Sequence, residues 1–348
     1  MSTPIPGLDD LAAAAPEEPR TTRRGPTPEE LLDGLNDPQR AAVRHAGAPL
    51  LVVAGAGSGK TRVLTRRIAW LVSERKAHPG SILAITFTNK AAAEMKERVE
   101  ALVGKRARIM WVSTFHSACV RILRKEVTQL NQQGFGYKSN FSIYDAADSK
   151  RLMTLVCRDL DLDPRRYQPN AILHWVSDHK NELRDHDEAT KDARNNLEET
   201  YAAAYTLYQR RLREANALDF DDLIMTTVHL FQTFPDVRET YRRRFRHVLV
   251  DEYQDTNHAQ YALIHQLCAD DPEETGERVE PAELMVVGDA DQSIYAFRGA
   301  NIRNILDFEK DFPGARVLRL EENYRSTQSI LDLAGALVAH NVKRKGKT

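Results

Sequence analysis

The sequence predicts an α/β protein built on a parallel sheet with a phosphate-binding loop at its edge, and three observations predict it. Residues 50–61 (LLVVAGAGSGKT) pass from four apolar residues into a loop of small residues and then into an amphipathic stretch, TRVLTRRIAWLV. In that stretch Val63, Leu64, Ile68, Leu71 and Val72 recur at helical spacing, giving strand, glycine-rich loop and helix in order. Short apolar runs then alternate with helical patterns, the signature of parallel strands joined by crossover helices. Finally, residues 245–251 (FRHVLVD) end directly in the acidic pair Asp251–Glu252. An apolar strand ending in Asp-Glu is the usual partner of a phosphate loop.

At the start of the chain, residues 1–33 are rich in Ala, Pro, Glu, Thr and Arg without periodicity and read as a disordered tail. Residues 35–46 (LNDPQRAAVRHA) read as a helix capped by Asn36 or Asp37, with Pro38 in its first turn. Gln39 carries an amide able to pair a donor and an acceptor with an adenine edge, though a glutamine in a first helical turn is more often solvated. The loop Ala54, Gly55, Ala56, Gly57, Ser58 and Gly59 follows the first strand. Small residues let successive N–H groups turn toward phosphate oxygens, and the helix N-terminus adds its dipole. Lys60 is placed to reach the β- and γ-phosphates, and Thr61 to offer its hydroxyl to Mg²⁺. Ala54 stands where the strict pattern has glycine, which leaves a plain small-residue turn as the alternative.

Residues 81–87 (SILAITF) read as a second strand leading to Thr86, Phe87, Thr88, Asn89 and Lys90 and a helix, AAAEMKERVEALV. Residues 109–112 read as a third strand leading to Ser113, Thr114, Phe115 and His116 and a further helix. Ligands of parallel sheets bind at the carboxyl ends of strands. Aromatics beside Thr, Asn and Lys there suit stacking and phosphate contacts on a single nucleic-acid strand, while Phe87 and Phe115 serve equally well as core caps. From about 120 to 225 the pattern becomes helical and reads as an insertion. Asp219, Asp221 and Asp222 invite a metal reading, but an acidic helix start suits the dipole better. Residues 270–283 are acidic and aperiodic, a surface loop. Residues 283–287 (ELMVV) are a strand running into GDADQSIYAFRG, where Gln292 precedes the aromatic pair Tyr295 and Phe297 and the basic Arg298. A last strand at 317–320 leads into Tyr324 and Arg325 and a helix. Such an arginine can lend charge to a transition state, although a loop arginine alone is usually solvated.

The bulk properties narrow the classes. Net charge is −1, so nucleic-acid binding must rest on a local groove rather than on overall basicity. The three cysteines, Cys119, Cys157 and Cys268, form no CxxC pair and read as core residues of a reducing compartment. No apolar run reaches membrane-spanning length, and Asp9 and Asp10 do not suit a secretory signal. The expected location is the cytoplasm.

In this order and setting, LNDPQRAAV, AGAGSGKTRVL, TFTNKAAAEMKERV, STFH, LVDEYQDTN, VGDADQSIYAFRGA and LEENYRST closely resemble the UvrD/PcrA/Rep family of superfamily 1 DNA helicases. The resemblance implies a RecA-like lobe 1A at 34–120 and 219–320, a helical subdomain 1B at 121–218 and the start of a second lobe, 2A, at 321–348. It implies ATP and Mg²⁺ as cofactors, single-stranded DNA and ss/ds junctions as partners alongside repair or transcription proteins, and 3′→5′ translocation coupled to unwinding. It further implies that Gln39 reads adenine, that Gly57, Gly59, Lys60 and Thr61 cradle the triphosphate, and that Arg62 and Tyr324 flank the base. Thr61 and Asp251 would hold Mg²⁺, Glu252 would act as catalytic base, Gln292 as γ-phosphate sensor and Arg325 as arginine finger. Thr86, Phe87, Asn89, Thr114, Phe115, His116, Tyr295, Phe297 and Arg298 would line the DNA path. Phe297 stands where the family often has Trp, a smaller stacking face. The family's later motifs do not occur in the 348 residues, so the sequence reads as an N-terminal part with weak binding and little unwinding of its own. The rival expectations are a non-catalytic ATP/ssDNA-binding or docking module, and the helicase half of a helicase–nuclease.

Overall fold

The computed structural model describes residues 26–270, 279–292 and 300–338. Its centre is a six-stranded sheet formed by β1 (Leu50–Ala54), β2 (Ile82–Thr86), β3 (Trp111–Thr114), β6 (His247–Val250), β7 (Glu283–Gly288) and β8 (Arg316–Leu320). The spatial order is β3-β2-β6-β7-β1-β8, and every pairing is parallel. All residues of β1 and β2 are buried, as strands covered on both faces must be. Alternation then divides the side chains. Leu51, Val53, Leu83, Ile85, Val248, Val250, Leu284 and Val286 face one core, with Phe115, Ile122, Leu223 and Leu263 from the covering helices. Leu50, Val52, Ile82, Ala84, Leu249, Met285 and Val287 face the other, with Val43, Leu64, Ile68, Met95 and Val99. The carboxyl ends of all six strands thus share one edge with the motif residues. The parallel α/β architecture expected from the sequence is present.

Several boundaries differ from expectation, each for a physical reason. The tail expected to be disordered to residue 33 contains a helix at Pro28–Leu32, closed by a reciprocal Thr27–Glu30 capping box and burying Leu31 and Leu32. Five residues are too few for helical periodicity to register, and only the cap marks it. The third strand begins at Trp111 rather than 109, because Ile109 lies in a 3₁₀ turn (Gly104–Ile109) and is 52% exposed. Trp111 pairs with Leu83, packs edge-on to Phe245 at 5.0 Å and takes the Arg121 guanidinium over its ring at 3.8 Å. The start expected for the insertion, at 121, falls inside the helix Phe115–Glu126, whose Ile122 and Leu123 belong to the main core, as do Leu130 and Phe141 further on.

The inserted helices Ala146–Asp159, Pro169–Asn181, His186–Asp192 and Asn196–Glu214 pack around a separate core of Met153, Val156, Ile172, Val176, Tyr205, Tyr208 and Leu212. Where the chain leaves and returns, β4 (Ser142–Tyr144) pairs in parallel with β5 (Ala217–Asp219). Asp219 caps the helix Phe220–Thr233 in a reciprocal box with Asp222, the acidic helix start read from the sequence. Beside it Lys180 of the insertion is fully buried between Asp219 (2.7 Å) and Asp222 (2.8 Å).

Candidate functional site

The loop after β1 is shaped by two glycines in the left-handed region, Gly57 (φ 78°) and Gly59 (φ 90°). A Cβ at Gly57 would sit 2.6 Å from the Arg325 Cβ, and one at Gly59 would sit 2.8 Å from Gln39 Nε2, so neither position admits a side chain. Gly59 is the N-cap of the helix Lys60–Ser73 and offers no side-chain cap. The first N–H groups of the helix are therefore left for an anion. A cavity of about 460 Å³ opens here, lined by the loop, Lys60, Thr61, Arg62, Glu252, Gln292, Tyr324 and Arg325. Arg98, from the helix Asn89–Val103, lines it too. A single arginine on an amphipathic helix gives no sequence signal, so Arg98 was not among the expected residues.

Opposite the loop, β6 ends at the acidic pair. Lys60 Nζ donates to Glu252 Oε2 at 2.7 Å, and Gln254 Nε2 donates to the same oxygen at 2.9 Å. Glu252 has φ 49°, a left-handed conformation that costs a non-glycine residue about 1 kcal/mol and aims its carboxylate back at the loop. Burial first, and the neighbouring Glu252 charge second, push the Asp251 carboxyl up to about 6. A divalent cation would relieve both effects. Gln292, at the end of β7, donates from Nε2 to Asp289 Oδ2 at 2.5 Å.

The segment after β8 lies across the loop. Asn323 Nδ2 donates to Ala56 O, and the Tyr324 N–H donates to Gly57 O at 2.9 Å. The Tyr324 hydroxyl donates to Glu322 and accepts from Asn36 Nδ2 at 3.0 Å, leaving the ring 56% exposed. Gln39 is buried: its Nε2 donates to Ser58 O at 2.9 Å and its Oε1 accepts from the Asn36 N–H in a capping box. Its amide braces the phosphate loop rather than standing free.

The residues expected along a nucleic-acid path divide by exposure. Asn89 is exposed, and Phe87 and His116 are half-buried. Thr86 and Thr114 are buried, and Thr114 caps the helix Phe115–Glu126 through the Ser117 N–H. Phe115 is 2% exposed and serves the core, so its ring is corrected from a stacking surface to a core cap. Burial lowers the His116 pKa, favouring the neutral ring. His116 packs edge-on, at 5.4 Å, against Phe220, which is 48% exposed. Phe220 was missed because it sits in a stretch legible only as an acidic helix start. Tyr295, Phe297 and Arg298 lie outside the described residues.

Comparison with known proteins agrees with this geometry. Residues 35–313 match the family described as UvrD/REP helicase N-terminal domain. The chain is 60% identical over 328 residues to the ATP-dependent DNA helicase UvrD1 of Mycobacterium tuberculosis, covering 93% of this chain and 42% of the relative. It is 50% identical over 318 residues to the ATP-dependent DNA helicase PcrA of Bacillus subtilis, covering 91% of this chain and 41% of the relative. The chain thus spans about two-fifths of the length of these relatives. A match across most of its described residues, at this identity, makes the chain a member of the UvrD/REP helicase N-terminal domain family.

Proposed function

We propose that this polypeptide is the nucleotide-binding lobe of an ATP-dependent DNA translocase, moving 3′→5′ along single-stranded DNA and opening duplexes in repair or replication, in the cytoplasm. The observation that carries the reading is the convergence of Lys60 and Glu252, 2.7 Å apart, over an uncapped helix N-terminus in a cavity of triphosphate size. The loop N–H groups and Lys60 bind the phosphates, which draws Lys60 from Glu252. Glu252, released, orients the attacking water and accepts its proton. Thr61 and Asp251 would hold Mg²⁺, whose contribution is to neutralise charge on the phosphate oxygens. Arg325, Arg98 and Gln292 face the same cavity and are placed to meet charge developing on the transferred group. Tyr324 offers an exposed ring to the base, with Arg62 beside it; an adenine read by Gln39 would take over one of the two bonds its amide now makes. Phe87, Asn89, His116 and Phe220 form a strip for stacked bases and phosphates at the strand ends.

The test is binding of Mg-ATP by this polypeptide, followed by hydrolysis with and without oligo-dT. Lys60→Ala is expected to weaken Mg-ATP binding by about 100-fold or more, since it removes a charge from a partly enclosed site. A well-folded chain that binds no Mg-ATP, or binds it equally well without Lys60, would overturn the reading.

Asp251 makes a second prediction. Its carboxyl titrates near 6 in the nucleotide-free protein, raised from the ordinary value. Below that pH the proton competes with a cation, so Mg²⁺-dependent nucleotide affinity is expected to fall about tenfold per unit between pH 6 and pH 5. The stability sign is opposite: a raised carboxyl favours the folded state at low pH, and that contribution is lost as pH rises through 6. Asp251→Asn should therefore raise the melting temperature at pH 8, raise it by about half as much at pH 5, leave it unchanged only below about pH 4, and flatten the affinity profile. Affinity independent of pH from 5 to 7.5 in the parent chain would remove Asp251 from the cation site.

A further inference from the structure

The loops after β6 and β7 are joined by one side chain. Gln254 is 1% exposed, and both ends of its amide are engaged. Nε2 donates to Glu252 Oε2 at 2.9 Å and to Asp255 Oδ2 at 3.3 Å, while Oε1 accepts from the Asp289 N–H at 2.9 Å. Two carboxylates require donors and one N–H requires an acceptor, so the amide has only one orientation that satisfies all three. Beyond it, Asp289 Oδ2 takes the amide of Gln292, which lines the phosphate cavity. At the near end, the oxygen that Gln254 holds on Glu252 is the same one that Lys60 holds. The strand end of β7 is pressed close against this amide: a Cβ at Gly288 would lie 2.7 Å from Gln254 Oε1.

We infer that Gln254 is a positioning residue that transmits the state of the Glu252 carboxylate to the end of β7, so that triphosphate arriving at Lys60 is registered at Asp289 and Gln292. The inference rests on the nucleotide reading of the cavity. When phosphates draw Lys60 away, the Glu252 oxygen keeps Gln254 as its donor, and the amide turns toward it. The amide is planar, so this turn withdraws Oε1 from the Asp289 N–H. The coupling is reciprocal: a ligand that shifts Asp289 and Gln292 alters the hold on Glu252 equally.

The experiment measures hydrogen exchange of the Asp289 amide with and without Mg-ATP, with nucleotide affinity titrated on the same samples. In the parent chain, Mg-ATP is expected to speed that exchange about tenfold, the effect of one lost hydrogen bond. In Gln254→Met the exchange should be fast already and unresponsive to nucleotide, with Mg-ATP affinity within about threefold because Lys60 and Thr61 are untouched. Gly288→Ala, whose Cβ would crowd the Oε1 end of the same amide, should uncouple in the same way. Gln254→Glu supplies the conservative rescue. Flanked by Glu252, Asp255 and Asp289, its carboxyl is protonated at low pH and then donates its one O–H to Glu252 while its carbonyl oxygen accepts from the Asp289 N–H. Response should return near pH 5.5 and vanish at pH 8, which a merely structural role would not produce. Mg-ATP binding with an Asp289 response unchanged in Gln254→Met, or absent from the parent chain, overturns the relay alone. Failure of the parent chain to bind Mg-ATP overturns the nucleotide reading and the relay with it.

Discussion

Glu252→Gln is expected to lower ATP turnover by a factor of about 100 to 10,000, the usual contribution of a positioned general base, without loss of Mg-ATP binding. The substitution keeps the shape of the side chain and an oxygen that can accept from Lys60 and Gln254, so the local fold has no reason to change. What it removes is the negative charge now paired with Lys60, at side-chain exposures of 11% and 36%. A pair in that half-buried range holds the lysine by an appreciable but modest amount. Freed of it, Lys60 is available to phosphate at once, and affinity for Mg-ATP should stay level or tighten by up to about tenfold. Lys60→Ala moves binding the other way, so the two variants separate capture of nucleotide from its hydrolysis. Steady-state hydrolysis with oligo-dT and equilibrium binding of a fluorescent nucleotide are the measurements. Parent-level turnover in Glu252→Gln would assign the base to another residue.

The features legible in the sequence are those whose physics is local or periodic. The phosphate loop is one, because strand, left-handed glycines and uncapped helix start are consecutive in the chain. The buried strands are another, because a sheet covered on both faces requires unbroken apolar runs. What escaped depends on contacts between distant segments or on elements too short to show a period. Arg98 becomes a cavity residue only because its helix packs beside the loop, and Phe220 becomes exposed only because its helix starts at the edge of the insertion. Phe87 and Phe115 read alike as strand-end aromatics, yet one is half-buried and the other fully within the core. Their difference lies in which face of the turn each occupies, and no spacing rule states it. The three-residue strands β4 and β5 fall below any periodic signal and are held by pairing across the insertion. Lys180, in the polar end (SDHKN) of its helix, reads as solvated until the fold brings Asp219 and Asp222 to it.

Lys180→Met is expected to destabilise the folded chain by about 3–5 kcal/mol at pH 8, the cost of leaving buried charges unpaired. The lysine side chain is 0% exposed, and Asp219 and Asp222 are 10% and 4% exposed. Burial alone would lower the lysine pKa, but the two carboxylates overcome it and hold the ammonium well above its ordinary range. Burial likewise opposes ionisation of Asp219, and Lys180 reverses it, so that carboxyl lies below its usual value. Asp222 is pushed up to about 6, and the adjoining Asp221 to about 7, by burial and by the Asp219 charge. One cation therefore supports several carboxylates where the insertion meets the main domain. Tyr208 still donates to Asp219 at 3.0 Å and Gln209 to Asp222 at 3.1 Å, which favours the lower end of the range. Without Lys180 the carboxyls titrate higher in the folded state, so the deficit is full above those pKa values and shrinks as pH falls and they take protons. Urea unfolding should show a large loss at pH 8 and a much smaller one at pH 5.5. Adding Asp219→Asn and Asp222→Asn to Lys180→Met should recover much of the loss at pH 8, because Asp221 is then the one carboxyl of the three left to ionise. A deficit equal at both pH values, and untouched by the neutral partners, would mean that Lys180 matters for its packing volume rather than for its charge.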